Sequence, residues 1–283
     1  MGKTIKLRKL LKDTLYHKYE RGHGQAKTGK VHNGTDNIHS HNTYKTYMRE
    51  TEHFCAWCKA NGITEVKDAA ASVPRYLDQM QRDGKSAWTM STALCGIAKA
   101  MNRKTTDFDY KLPSRHRADI VRSRGQAERD KHFSPERNQD LIKFAESCGL
   151  RRSELEALKG SNLVLKGEKV YLQVENGKGG KKRLVEVIGH KNHVVRMCNL
   201  AGSGNVFPKV HSAFDEHFYR GNYGKNLYKQ YERDLNTLSR KEKYYCRGDM
   251  KGKVFDREAM RIVSENLGHN RIDVIANNYL YGL

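Results

Sequence analysis

Apolar residues recur at helical spacing in two blocks of this chain, and a polar segment separates the blocks. The first block covers residues 39–101, and the second begins near residue 134. Residues 111–131 hold seven basic and three acidic residues together with Pro113 and Gly125, a composition typical of a linker. With 283 residues the chain is long enough for two ordinary domains. The pattern therefore predicts two mostly helical domains.

The net charge of the chain indicates which kinds of partner it binds. Lysine and arginine number 53 against 32 aspartate and glutamate residues, a formal net charge of +21. Such a field attracts polyanions, and nucleic acid is the first candidate. A membrane surface is the rival, but no apolar run approaches ~18 residues, and no signal peptide or lipidation motif is present. We expect a cytoplasmic protein that associates with the nucleoid and not with a membrane.

Six cysteines are spread thinly along the chain, and in a cytosolic protein we expect them to be reduced. Cys55 and Cys58 have the spacing of metal ligands or a redox pair. No second pair of this kind follows, and Phe54, Trp57 and Cys58 fit the buried face of a helix. Core packing is the preferred interpretation, and we predict no metal site.

The first 31 residues carry nine basic and two acidic residues and run through glycines to Asn33-Gly34. This composition predicts a mobile basic arm, either a solvated tail or an arm that contacts DNA. The predicted organisation is an arm over residues 1–36, a helical domain over 37–110, a linker over 111–133 and a further domain over 134–283.

The C-terminal domain is predicted to be mostly helical with a small β-hairpin, an α+β fold. Ser134 and Pro135 begin a helix that ends at Gly149. Alternation over residues 170–174, a glycine-rich turn and an apolar run over 184–188 predict a hairpin. Helical patterns then cover residues 213–231 and 257–267, and a last helix carries Tyr279.

Four short motifs in this domain become informative together. They are GLRRSEL over residues 149–155, GKG over 177–179, HFYR over 217–220, and LGH over 267–269, with a tyrosine ten residues after the last. In this order they resemble the tyrosine recombinases, or phage-type integrases. The resemblance covers residues 134–283. The N-terminal helices are similar to that family's core-binding (SAM-like) domain only in size, basicity and position.

The resemblance implies a site that breaks and rejoins duplex DNA without a metal or nucleotide cofactor. Guanidinium groups stay charged and present a planar fork to phosphate oxygens, so two arginines are expected to stabilise the charge that develops on the phosphate. The nucleophile would form a 3′-phosphotyrosyl bond. The implied site residues are Tyr279, Arg151, Arg220, His217, His269 and Lys178.

The implied roles divide proton transfer between two parts of the site. A tyrosine hydroxyl with a pKa near ~10 is a weak nucleophile and needs a base, for which His217 is the candidate. His269 is expected to donate to the phosphate. Lys178, at the tip of the hairpin, would protonate the leaving 5′-oxygen.

Several assignments have rivals in the sequence. Arg247 could replace Arg220, with Tyr244 in place of the histidine, because the polar run over residues 233–256 lengthens this region. We prefer His217 and Arg220 because an apolar helical pattern follows them. Tyr281 competes with Tyr279, but residues two apart on a helix point in different directions.

Basic residues next to the proposed site residues are rivals too. Arg152 adjoins Arg151, and adjacent helical residues point ~100° apart, so only one faces the phosphate. Lys181 and Lys182 lie close to Lys178, and their expected role is ordinary phosphate contact. Only residues 280–283 follow the nucleophile, which is too short for the C-terminal helix that many relatives dock on a neighbouring subunit.

The preferred function is a site-specific DNA recombinase that integrates and excises a mobile element, with four subunits joining two duplex sites. One alternative is a non-catalytic DNA-binding protein that retains the fold. A second is a type IB topoisomerase, which shares the chemistry. The target sequence is not readable here, because it depends on which side chains reach base edges.

Overall fold

Two separate hydrophobic cores organise this chain. The structure, a computed structural model, describes residues 6–24, 36–116, 133–177 and 180–283. The chain divides into an N-terminal unit, residues 1–119, and a C-terminal unit, residues 120–283. The division falls at residues 119 and 120, within the range 117–132 that lies outside the described residues. The predicted linker over 111–133 therefore lies largely outside them as well.

Five helices build the described part of the N-terminal unit around buried side chains such as Phe54, Leu77 and Ile97. Ser40 and Ser86 cap two of these helices, because each side-chain oxygen accepts a hydrogen bond from a backbone N–H three residues later. The helices are α1 (Leu7–Gly22), α2 (His41–Ala60), α3 (Val66–Ala71), α4 (Val73–Arg82) and α5 (Ala87–Ala100).

The first of these helices corrects the prediction of a basic arm. Residues 7–22 are helical, and Leu7, Leu11 and Leu15 are at most 7% exposed in the core. Their spacing of four residues forms an apolar stripe that packs on α2, so the burial of leucine outweighs the high lysine content. Residues 1–5 and 25–35 of the predicted arm lie outside the described residues.

Cys55 and Cys58 pack in the core of the N-terminal unit, as their helical spacing predicted. Both thiols are free and buried on α2. Burial raises the pKa of Cys58 to about 12. Thiols in this state are poor nucleophiles and poor metal ligands.

The C-terminal unit is mostly helical with two small antiparallel sheets, in agreement with the predicted fold class. No helix in the described ranges is both long and apolar enough to cross a membrane. The helices are α6 (Gln139–Cys148), α7 (Arg152–Ala157), α8 (Lys191–Ala201), α9 (Glu216–Tyr231), α10 (Arg257–Leu267) and α11 (Asp273–Asn278).

The larger sheet has three strands in the order β1 (Leu163–Lys166), β2 (Lys169–Val174) and β3 (Arg183–Glu186). The alternation predicted for the hairpin places every second residue of β2 in the core, and Leu172 pairs with Val185. Strand β1 was not predicted. Its residues are only partly buried or exposed, so it lacks a clean apolar alternation.

The helix predicted to begin at Ser134 starts later than expected. The Ser134 hydroxyl accepts a hydrogen bond from the Arg137 N–H, but a 3-10 turn (Glu136–Asn138) follows, and α6 begins at Gln139. The other end agrees with the prediction, because α6 ends at Cys148 and Gly149 adopts the left-handed conformation at φ +57°.

The polar run over residues 233–256 folds into a two-stranded ribbon, which we call the insertion. Its strands are β4 (Lys243–Tyr245) and β5 (Val254–Asp256). Three of its side chains, Cys246, Met250 and Phe255, belong to the core of the C-terminal unit. The insertion is therefore part of the folded unit.

Candidate active site

The hydroxyl of Tyr279 lies where three segments of the C-terminal unit meet. The residue follows α11, and only 5% of it is exposed. Its Oη accepts a hydrogen bond from Nε of Arg220 at 3.2 Å and lies 3.0 Å from Nε2 of His269. A cation and an imidazole thus contact the same oxygen.

Arg220 is held by the ends of two helices. It lies on α9 and is 1% exposed. Its two terminal nitrogens donate to the backbone carbonyls of Gly149, which caps the C-terminus of α6, and Leu267, the last residue of α10. The last carbonyls of a helix lack partners within it and carry partial negative charge, so they stabilise a buried guanidinium. Burial lowers the pKa of Arg220, and the nearby charge of Arg151 acts in the same direction.

Gly149 is required for this arrangement in two ways. Its φ of +57° is unfavourable for residues with a side chain. A Cβ at this position would also lie 2.4 Å from Cδ1 of Tyr223 on α9. The glycine in the GLR motif therefore allows α6 to end directly against α9, where its carbonyl reaches Arg220.

Arg151 adjoins Arg220 and is oriented by Glu154. The Nη2 of Arg151 donates to the same Leu267 carbonyl at 3.2 Å, and its Nη1 donates to Glu154 at 2.9 Å. Glu154 also accepts the Arg151 backbone N–H and two hydrogen bonds from Arg183. Burial alone would raise the pKa of Glu154, but these donors outweigh it and lower the pKa to about 2.

Three guanidinium groups therefore lie close together near the tyrosine hydroxyl. Arg151 and Arg183 share the carboxylate of Glu154, and Arg220 shares the Leu267 carbonyl with Arg151. Arg151, Arg183 and Arg220 are mostly buried, and the side chain of Glu154 is 1% exposed. One carboxylate cannot balance three cations, so the cluster keeps an excess of positive charge. An excess of cations with fixed geometry suits a phosphodiester whose negative charge grows during reaction.

The two histidines occupy different positions from those expected. His217 lies in the first turn of α9, with 57% of its side chain exposed, 3.8 Å from Glu216. The imidazole within hydrogen-bond distance of the Tyr279 hydroxyl belongs to His269. The motifs alone predict the reverse, with His217 as the base and His269 in contact with the phosphate.

Arg152, the alternative to Arg151 as a site residue, binds a different part of the C-terminal unit. Its guanidinium donates to backbone carbonyls of the loop before α9, including those of His211 and Phe214 at 2.8 Å. This loop leads into the first turn of α9. Arg152 therefore stabilises the segment that precedes His217, while Arg151 binds Glu154 and the Leu267 carbonyl that Arg220 also binds.

The hairpin tip can be described only in part, because Lys178 lies outside the described residues. Lys181 hydrogen-bonds the side chain of Asn270, the residue after His269. Lys182 pairs with Glu175 of the hairpin at 2.8 Å. The hairpin thus approaches the LGH loop through Lys181.

The rivals Arg247 and Tyr281 lie elsewhere on the C-terminal unit. Arg247 is exposed and precedes a 3-10 turn of the insertion, whereas the guanidinium beside Tyr279 is that of Arg220. The ring of Tyr281 lies 5.6 Å from the ammonium of Lys225.

Sequence reasoning missed the role of Glu154 and the presence of Arg183. Glu154 belongs to the GLRRSEL motif, and its distance of three residues from Arg151 would have indicated a contact along one helical turn. Arg183 precedes the apolar run of the hairpin and offered no comparable signal. Its partners lie 29 and 83 residues away along the chain.

A mostly helical unit with a small antiparallel sheet is the fold that the resemblance to the tyrosine recombinases predicts. Comparison with solved structures confirms that the chain has their fold. The integrase of the transposon Tn1549, in complex with circular intermediate DNA, superposes with a TM-score of 0.52 at 12% identity, covering 97% of this chain and 95% of that chain. Its complex with transposon right end DNA gives 0.51 at 11%, with the same coverage.

One curated relative is similar to a short stretch of this chain. The tyrosine recombinase XerD of Corynebacterium glutamicum is 34% identical over 71 residues, which are 24% of this chain. The match spans 23% of that protein's length. No family model matches the chain.

Proposed function

We propose that this protein is a site-specific DNA recombinase that cuts and rejoins duplex DNA through a covalent bond to Tyr279. The observation that carries the proposal is the contact of one tyrosine hydroxyl with both Arg220 and His269, within a cluster of guanidinium groups. The fold shared with the Tn1549 integrase and the XerD match support it. The net charge of +21 supports DNA as the substrate.

In the proposed reaction the Tyr279 oxygen attacks the scissile phosphorus, and the bond to the 5′-oxygen breaks. A 3′-phosphotyrosyl bond and a free 5′-hydroxyl result. The 5′-hydroxyl of a partner strand then attacks this bond, which restores the phosphodiester and the tyrosine. Because the energy of the broken bond is kept in the phosphotyrosyl linkage, the exchange requires no nucleotide cofactor.

Arg151 and Arg220 would bind the non-bridging oxygens of the phosphate. Both are guanidinium groups held in place by backbone carbonyls or by Glu154, so little reorganisation is required as charge develops. Arg220 also contacts the attacking oxygen and would stabilise it as it loses its proton.

We assign the acceptance of the tyrosine proton to His269 rather than His217, because its Nε2 lies 3.0 Å from the hydroxyl. His217, exposed at the start of α9, would then contact the phosphate. Lys178 is proposed as the acid that protonates the 5′-oxygen. This role rests on the resemblance of the GKG motif.

The N-terminal unit is proposed to act as a core-binding domain on the DNA. Its basic composition and its place before the C-terminal unit support this role. Together with the C-terminal unit it would enclose duplex DNA, and four subunits would join two sites. We further propose that the chain serves a mobile element in the bacterial cytoplasm, where its DNA substrate lies.

The decisive test can be run before the target site is identified. Purified protein is incubated with fragmented DNA of its source genome, denatured in detergent, captured, and the attached DNA is sequenced. We expect covalent adducts at one short repeated sequence, and no adduct with Tyr279→Phe. Adducts that persist in this variant would refute the nucleophile. Adducts scattered over arbitrary sequences, together with relaxation of supercoiled plasmid, would favour a topoisomerase. DNA binding without any adduct would favour a non-catalytic DNA-binding protein.

The recovered sequence then allows the remaining assignments to be tested. Arg220→Lys should reduce adduct formation by roughly 100-fold or more, while Arg247→Lys leaves it unchanged. A substrate with sulfur in place of the bridging 5′-oxygen has a leaving group that needs no proton, so it should restore cleavage to Lys178→Ala but not to His269→Ala. Full activity of the Arg220 variant would move the second arginine to Arg247.

A further inference from the structure

A lysine of the insertion contacts the backbone that follows the candidate nucleophile. The ammonium of Lys253 donates to the carbonyl of Tyr281 at 2.9 Å and also to the carbonyl of Leu283. These residues lie two and four positions after Tyr279. A side chain more than 25 residues upstream thus binds the segment 281–283, which we call the post-nucleophile segment.

A second lysine contacts the same segment from another element. Lys225 lies on α9, five residues after Arg220, and its ammonium is 5.6 Å from the ring centroid of Tyr281. This distance is within the range of a cation–π interaction. Between the nucleophile and these contacts, Leu280 is fully buried. The segment is therefore contacted by two lysines, one from the insertion and one from α9.

Lys253 itself is fixed by the fold of the insertion. Its carbonyl accepts the Cys246 N–H at 3.0 Å, and its N–H donates to Met250 at 3.1 Å. Gly252, at φ +98°, allows the turn that brings the lysine back to β5. The position of Lys253 is therefore determined by the ribbon.

The insertion is in turn anchored to the C-terminal unit through Asp256. This carboxylate is fully buried and accepts two hydrogen bonds from the Arg233 guanidinium at 2.8 Å. The hydrogen bonds from Arg233 outweigh burial and lower the pKa of Asp256 to about 2. The Asp256 N–H also donates to the hydroxyl of Tyr228 on α9. The contacts thus run from α9 through β5 and Lys253 to the post-nucleophile segment.

We propose that Lys253 is a positioning residue that holds the post-nucleophile segment on its own subunit, so that Tyr279 reacts beside the Arg220 and His269 of the same chain. The proposal rests on the proposed function. In this proposal the insertion restricts the position of Tyr279, which lies at the end of the short helix α11. Loss of the two hydrogen bonds would leave Tyr279 in more than one position and reduce productive attack.

The test compares Lys253→Met, which keeps most of the apolar side chain without its donors, with Lys251→Met at an exposed position of the same loop. Hydrogen exchange of residues 274–283 is measured first, because it does not depend on DNA cleavage. We expect exchange of the amides of Tyr279, Leu280 and Leu283 to be roughly tenfold faster in the Lys253 variant and unchanged in the Lys251 variant. Unchanged exchange in both variants would overturn the proposal.

Adduct formation at saturating DNA is measured second. We expect the rate to fall by roughly 10- to 100-fold in Lys253→Met, with unchanged DNA affinity and melting temperature, and to recover largely in Lys253→Arg. Faster exchange with an unchanged adduct rate would show that the contact does not position the nucleophile. If the unmodified protein forms no adduct while the exchange result holds, the proposed function fails, and the positioning role falls with it.

Discussion

Substitution of Glu154 by glutamine tests the charge cluster beside the tyrosine. The carboxylate accepts hydrogen bonds from the backbone and side chain of Arg151 and from both terminal nitrogens of Arg183. Glutamine has a similar size but no charge, and its NH₂ group faces donors. The variant therefore leaves guanidinium groups buried without a counter-charge.

The magnitude follows from the ionisation of this side chain. Its pKa is about 2, against an ordinary value of 4.5 for glutamate. The difference corresponds to roughly 3 kcal/mol of folding free energy. Because the pKa is lower in the folded protein, this stability is complete well above pH ~4.5 and is lost as the pH falls towards ~2. The carboxylate accounts for a loss of about 1 kcal/mol by pH 4 and about 2 kcal/mol by pH 3.

Urea unfolding of the wild type and the variant, at several pH values, measures these quantities. At pH 7 we expect Glu154→Gln to destabilise the protein by about 3–5 kcal/mol. The difference in unfolding free energy between wild type and variant should shrink by about 2 kcal/mol at pH 3, because Glu154 of the wild type is then losing its charge. Glu168→Gln, at an exposed position between β1 and β2, is the control and should change little. A variant as stable as the wild type at pH 7, or a stability difference that does not change with pH, would refute the role of Glu154 as a charged partner of the arginines.

Three further predictions concern the two units and the reaction. Gly149→Ala should lower the free energy of unfolding, measured with urea, by about 2–4 kcal/mol, because its Cβ would clash with Tyr223. Gly167→Ala, at a similar φ of +56° but with open space around its Cβ, should lower it by only about 1 kcal/mol. Leu11→Ala in α1 should lower the free energy of unfolding by about 2–5 kcal/mol, and the exposed Leu10→Ala by less than about 0.5 kcal/mol. Equal effects of the two substitutions would favour the interpretation of this segment as a basic arm. Adducts should form equally in excess EDTA, and their loss there would indicate a metal requirement.

The sequence predicted the elements whose apolar pattern is local. The stripe of α10 and the alternation of β2 report burial within one element, and Gly149 marks a helix end by its own backbone preference. Where a local signal was weak or mixed, the prediction failed. Leucines at every fourth position in α1 were outnumbered by lysines and arginines over the N-terminal stretch, and β1 had no alternation to detect.

The motifs also predicted which residue types the candidate site would contain, since the proposed phosphate chemistry requires arginine, a proton acceptor and a nucleophile. Their order along the chain supplied Arg151, Arg220, His269 and Tyr279 without any coordinates. It did not assign their partners. His217 was expected beside the tyrosine as its base, yet the imidazole in contact with the hydroxyl is that of His269.

Only the tertiary structure decided which groups meet. The carbonyls that hold Arg220 lie 71 and 47 residues away, at the ends of two helices, and the carbonyl that binds Lys253 lies 28 residues away. Periodicity shows which face of a helix is buried, but not which element covers it. That choice depends on how all the faces pack together, so it is a property of the folded chain and not of any segment.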